Sequence, residues 1–333
     1  MQDGTGPLFG RLLLGALNQT ARERRRRGPL LPSWSAWREL LHRILWRAQT
    51  HAAELGRTDG YPAARAYLER LSAQQGLAPG LRLGVRIEGV RCGAVPALLL
   101  RPRRGAERGL LYLHGGAYLF GSSGTYREQA ARLALAARAE VLLPDYRLRP
   151  EHPIAASLED ARSALAFLRA RHPGERVSVA GDSAGANLAV RLCIAEREAG
   201  AALPACAALL CPWVDLSAAG GSRDVNEPFD ILPRSYLDGW TAVVLAGGDA
   251  RDPAVSPRFA DLRGLPPLLV QVGTAEVLLD QVREFAARAQ EQGVETVLRE
   301  WTDEPHDWHL LARYLGSGRA AIEEVAAFLR ARA

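Results

Sequence analysis

Short apolar runs bounded by Gly, Pro or Asp punctuate the chain, and between the later ones apolar positions recur at helical spacing. Runs of that kind read as strands, and the 3.6-residue period between them reads as helix. Strand-like runs fall at 81–87, 95–100, 109–113, 141–143, 177–180, 207–210, 268–272 and 296–301. The alternation predicts an α/β chain with a mostly parallel central sheet of about eight strands flanked by helices, the first strands antiparallel at one edge. Two regions break the rhythm: residues 1–80, with helices expected near 35–52 and 61–75, and an insertion at about 215–248. Both are expected to form one helical cap over a domain spanning 81–333. Trp34, Trp37, Trp46, Trp213, Phe229, Tyr236 and Trp240 concentrate in the cap regions or close to them, mostly as packing, with one or two expected to line a pocket.

The run ending in Gly181-Asp182-Ser183-Ala184-Gly185 has the form of a nucleophile elbow. In such a turn a serine sits at the tip of a strand-to-helix corner, and glycines two positions to either side let the backbone segments pass closely. Ser183 is therefore the candidate nucleophile. Upstream, an apolar strand leads into His114-Gly115-Gly116-Ala117. Fixed N–H donors on such a loop stabilise the negative charge that develops on a carbonyl oxygen during acyl transfer, and losing one costs about 3 to 4 kcal/mol. The N–H groups of Gly115 and Gly116, with that of Ala184, are assigned to this oxyanion hole; Ala117 can also donate.

A serine nucleophile of this type needs a histidine base and a carboxylate to orient it, following in the order Ser, Asp or Glu, His. The strand at 268–272 is followed by Glu276, and the strand at 296–301 by His306. Strand carboxyl ends share one edge of a parallel sheet, so residues distant in sequence meet there. Asp280 competes with Glu276 for the acid, since it lies one helical turn on and could instead cap a helix or pair with arginine. His309 competes with His306, which is favoured because it falls in a loop.

These segments resemble the hormone-sensitive-lipase-like esterases, the bacterial family IV carboxylesterases of the α/β-hydrolase superfamily, from about residue 80 to the end. HGGAYLFGS is similar to the family's HGGG motif, DYRLRPEHPIAAS to its YRLAPEHPFPAA segment, GDSAGAN to its GDSAGGN motif, and EPHDW occupies the place of its histidine. Ala117 departs from the third glycine, and Glu276 stands where the best-known members have Asp. The resemblance implies ester hydrolysis through an acyl-enzyme, on acetyl esters, lactones or similar small to medium esters, without metal or organic cofactor. A non-catalytic small-molecule receptor on the same scaffold is the alternative, which the retained serine, carboxylate and histidine disfavour.

With 333 residues, 48% of them hydrophobic, one large core is affordable and a second catalytic domain unnecessary. The 42 cationic residues are all arginine and the net charge is +5. Arg22, Arg24, Arg25, Arg26 and Arg27 form a basic run, read as a solvated face in the absence of any nucleic-acid motif. The apolar stretch 8–17 precedes its arginines, the reverse of a secretion signal, and no run reaches the length of a membrane span. Cys92, Cys193, Cys206 and Cys211 lack zinc spacing. The expectation is a cytoplasmic chain with reduced thiols, a small-molecule ester as its partner, no nucleic acid, no stable membrane insertion, and room for a homodimer.

Overall fold

The computed structural model describes residues 8–174 and 177–332. Among the described residues four helices come first: α1 (Leu8–Arg27), α2 (Ala36–Thr58), α3 (Tyr61–Gln75) and the short α4 (Pro79–Gly84). Strands and helices then alternate as β1 (Val85–Cys92), β2 (Val95–Pro102), β3 (Arg108–Leu113), α5 (Ser123–Ala137), β4 (Ala139–Pro144), α6 (Ile154–Arg171), β5 (Val177–Asp182), α7 (Ser183–Glu198) and β6 (Ala207–Leu210). After the insertion helices α8 (Ser222–Val225) and α9 (Arg234–Leu245) come β7 (Leu268–Gly273), α10 (Leu279–Glu291), β8 (Thr296–Trp301) and α11 (Gly316–Arg330).

The eight strands form one sheet in the order β1-β2-β4-β3-β5-β6-β7-β8. Strand β2 runs antiparallel to β1 and β4, and every other pairing is parallel. The central strands are buried along their whole length and carry apolar side chains to both faces. Successive residues feed opposite layers, as the pleat requires: Leu111, Val179 and Val270 pack with Leu165, Leu188 and Phe285 on one side, whereas Leu110, Ala180 and Leu269 pack with Leu133, Val325 and Leu329 on the other.

From β3 the chain winds outward to β4, then returns past β3 to add β5 on the other side. The loops after β3 and β5 therefore leave the sheet in opposite directions and open a crevice at its carboxyl edge. That crevice receives the glycine loop and the serine.

Two boundaries differ from the sequence expectation. Leu81 lies in α4, not in the first strand, because Pro79 sits in the first turn of a helix and presets its φ. Strand β1 instead runs on to Cys92, where Gly93, at φ +63°, turns it tightly into β2. Helix α2 starts where Ser35 caps it, accepting from the Arg38 N–H at 3.2 Å, and continues past residue 52 and through Gly56 to Thr58, ending just before Gly60, whose φ is +86°. The arginine run occupies the last turn of α1, where Arg24 bonds Glu39 at 2.5 Å and the Trp34 carbonyl at 3.1 Å. Part of that basic run thus fastens α1 to α2, while Arg22, Arg25 and Arg26 face solvent. Among the described residues, no helix is long and apolar enough to cross a membrane.

Candidate active site

Ser183 lies between β5 and α7 with φ at +51°, a left-handed conformation that side chains with a Cβ rarely adopt. Close packing holds it there. A Cβ at Gly185 would come within 2.0 Å of the Leu113 carbonyl oxygen, and one at Gly181 within 2.6 Å of the Gly185 backbone. The Ser183 carbonyl accepts from the Trp213 N–H at 3.1 Å, and the Asn187 amide donates to the carbonyls of Trp213 and Val255. The β5–α7 corner is thereby fixed to the loop after β6.

Asp182, beside the serine, points away from it and is buried. It accepts from the hydroxyls of Tyr112 and Tyr126 at 2.7 and 2.8 Å and from the Gly115 N–H at 3.0 Å. Burial pushes its carboxyl up to about 6, against the pull of the two tyrosine hydrogen bonds. This contact corrects the assignment of Gly115: its N–H is already spent on Asp182, and a Cβ there would lie 2.1 Å from that carboxylate. Gly115 lets the loop approach β5. Gly116 and Ala117, with φ of 112° and 55°, carry the next two amides into a left-handed turn, and both residues line the cavity above the sheet edge. Their N–H groups bond no group among the described residues. The Ala184 amide lies in the first turn of α7, where N–H groups lack intrahelical partners.

Glu276 and His306 come from the loops after β7 and β8. His306 Nδ1 lies 3.0 Å from Glu276 Oε2, and the other carboxylate oxygen accepts from the Gly273 N–H at 2.6 Å. With a carboxylate oxygen as acceptor Nδ1 is the donor of this contact, which turns Nε2 toward the cavity and Asp307. Asp280 is elsewhere. It is half exposed, and its carboxylate takes the Ser222 N–H at 2.7 Å. His309 is tethered through Nε2 to the Gln271 side-chain oxygen at 3.0 Å, and burial pushes its ring down to about 3.

Two acids escaped the sequence reading of the site. Asp230, from the insertion, accepts the N–H groups of Ile231, Val277 and His306 at 2.6, 2.7 and 2.9 Å, joining the insertion to the Glu276 and His306 loops. Asp307 follows His306 directly, and its Oδ2 lies 3.3 Å from Nε2. Burial opposes a charge on His306, yet Asp307, Glu276 and Asp230 together raise its imidazole to about 10. Nothing in the residue pattern distinguishes these aspartates from surface acids. The three donors on Asp230 carry a prediction: Asp230→Ala orphans them in a buried site and should cost about 2 to 5 kcal/mol of stability, read as a lower denaturation midpoint.

Cys211, Glu276 and His306 offer donor atoms within 4.8 Å of one another. Within this set Glu276 and His306 are hydrogen-bonded to each other at 3.0 Å.

Ser183 and His306 line one cavity of about 270 Å³. Its apolar walls include Leu41 and Ile44 from α2, Leu71 from α3, Leu237 and Trp240 from α9, and Trp213. Of the other aromatic groups, Tyr236 stacks on Trp240 with ring centroids 6.2 Å apart. Trp34 is buried with its indole N–H on the Asp303 carbonyl, whereas Trp37 and Trp46 are exposed.

A mostly parallel sheet with a serine elbow, a glycine loop and an acid–histidine pair at its carboxyl edge defines an α/β-hydrolase. Residues 110–310 match the family described as having the alpha/beta hydrolase fold. An acetyl-hydrolase of Streptomyces hygroscopicus is 44% identical over 243 residues, covering 72% of this chain and 81% of that protein. An esterase of Acinetobacter venetianus is 30% identical over 249 residues, covering 73% and 82%. Among solved structures, an esterase from the bacterial hormone-sensitive lipase family superposes with a TM-score of 0.78 at 36% identity, covering 86% of this chain and 97% of that one. The chain belongs to the α/β-hydrolase family, within its hormone-sensitive-lipase-like group of esterases.

Proposed function

We propose that the protein hydrolyses small to medium carboxylic esters, acetyl esters and lactones among them, through an acyl-enzyme on Ser183. The observation that carries this reading is the placement of Ser183, on its left-handed corner, in the same cavity as His306, whose Nδ1 is held by Glu276. In this scheme His306 Nε2 takes the Ser183 hydroxyl proton as Oγ attacks the ester carbonyl, then returns it to the departing alkoxide. Water, activated by the same nitrogen, releases the acid. Glu276 fixes the imidazole tautomer and stabilises the imidazolium. The amides of Gly116, Ala117 and Ala184 receive the oxyanion, Gly115 serving only to seat the loop. Helices α1 to α3 and the segment 215–248 act as the cap, shaping the pocket and limiting water. A cavity of about 270 Å³ falls just below the usual span of ligand pockets, about 300 to 1,000 Å³. That size favours short and medium acyl chains.

A p-nitrophenyl ester series of increasing acyl length tests the substrate class, with Ser183→Ala as control. Activity should peak at short to medium chains and vanish in the variant. A maximum at long chains, or no turnover by folded enzyme across the series, would overturn it.

A further inference from the structure

We propose that the protein prefers esters whose alcohol part carries a carboxylate, and that Arg127 and Arg132 receive this anionic group at the outer end of the catalytic cavity. The proposal rests on the reading of Ser183 and His306 as nucleophile and base, and names a substrate class within it.

The lining of the cavity divides by element. The loop after β6, the insertion and the loop after β7 contribute Trp213, Leu232, Leu237, Trp240 and Leu278, all apolar. Helix α5 and the segment that follows His306 contribute Arg127, Glu128, Arg132 and Arg313. The charged end lies in the direction of the leaving alcohol. His306 returns its proton to the alcohol oxygen, so that part of the ester sits on the His306 side of the reacting carbon. From His306 the chain runs through His309 and Leu310, both lining the cavity, to Arg313. Gln75 lines this end as well and is exposed, so the charged end opens to solvent.

Three guanidinium groups stand there against one carboxylate. Glu128 accepts from Arg132 at 2.7 Å through one oxygen and pairs with Arg313 at 3.0 Å through the other. Arg313 also donates to the carbonyls of Gln75 and Gly76 at the end of α3, at 3.1 and 3.0 Å, and so closes the wall. The other two arginines have donors to spare. Arg132 Nε is buried without a hydrogen-bond partner, and Arg127, half-buried, bonds no group among the described residues. Glu69 of α3 accepts from the Ser122 hydroxyl and does not line the cavity. A guanidinium donor left buried and unpaired is costly, and a carboxylate satisfies it with a charge-assisted bond. The excess of positive charge also draws anions toward this opening. In the reaction the acyl group passes to Ser183 Oγ, the alkoxide takes the proton from His306 Nε2, and the product leaves as a hydroxy carboxylate.

The test compares acetyl esters of 4-hydroxyphenylalkanoates with those of the matching alkanamides. The alkyl chain is lengthened stepwise, which varies the reach of the carboxylate while insulating the phenol from it. The wild type should favour the carboxylate by about tenfold or more in kcat/KM at one chain length at least. Read as a ratio within each preparation, this preference does not depend on how much of a variant folds. Arg127→Glu, which breaks no bond within the protein, should erase or invert it, and Arg132→Gln should reduce it by about threefold or more. A ratio within about twofold of unity at every length, or a preference that survives in both variants, overturns the proposal. Ser183→Ala should hydrolyse neither ester. If it turns over both as the wild type does, or if folded wild type turns over neither, the acyl-enzyme reading fails. Equal turnover of the pair that vanishes with Ser183 keeps that reading and overturns this one.

Discussion

Ser183→Ala should lower kcat by roughly a million-fold, and adding His306→Ala should cost little more, because nucleophile and base act as one unit. Once Oγ is gone, the imidazole has no proton to take, and the amides of Gly116, Ala117 and Ala184 can stabilise only direct attack by water. A residue of about a thousand-fold over the uncatalysed reaction should survive for that reason. The corner itself should persist: Gly181 and Gly185 keep their close contacts with Leu113, and Ala replaces Ser183 without adding volume. Steady-state kinetics on variants with wild-type circular dichroism provide the check. Losses that multiply in the double variant would show that the two residues do not act together. His309→Ala should affect turnover far less than His306→Ala, since its ring is tied to Gln271.

Glu276→Ala should cost about ten-thousand-fold in kcat, whereas Asp280→Ala should stay within about threefold of the wild type. The contrast follows from their environments. Glu276 is fully buried and holds His306 Nδ1, so its removal frees the ring to take the wrong tautomer. Asp280 is half exposed, and its contact with the Ser222 N–H lies outside the reacting groups. Measuring kcat for both variants on one activated ester, with thermal melts to verify folding, decides between them. The opposite order would assign the acid to Asp280.

The sheet was readable in the sequence because the central strands are short, largely apolar runs closed by Gly, Pro or Asp, as in β5 and β7. The start of β1 was not, since a single helical turn opened by Pro79 resembles the end of an extended run until the hairpin at Gly93 fixes the register. Ser183 and His306 stood out through motif and order. The choice between Glu276 and Asp280 stayed open because residues four apart share a face if helix begins at once after the strand. Helix α10 begins only at Leu279, which leaves Glu276 in a turn directed to His306 and puts Asp280 in the helix's first turn.

Gly115 shows the limit of motif reasoning. Adjacent glycines look equivalent as amide donors, and only the folded packing against Asp182 reveals which N–H is already taken. The same holds for Asp230 and Asp307. Their roles arise from burial and from partners far away in sequence, Asp230 bonding His306 across 76 residues, and no local spacing encodes such a contact.

The central claim is an acyl-enzyme on Ser183, and trapping it is the most direct measurement. The enzyme is treated with a p-nitrophenyl alkylphosphonate, a stable mimic of the tetrahedral species, and followed by intact mass and peptide mapping. The account predicts one adduct per chain, on the peptide containing Ser183, forming in step with loss of esterase activity and absent from Ser183→Ala. An adduct on another residue that tracks inactivation, or full hydrolysis by Ser183→Ala, would contradict it.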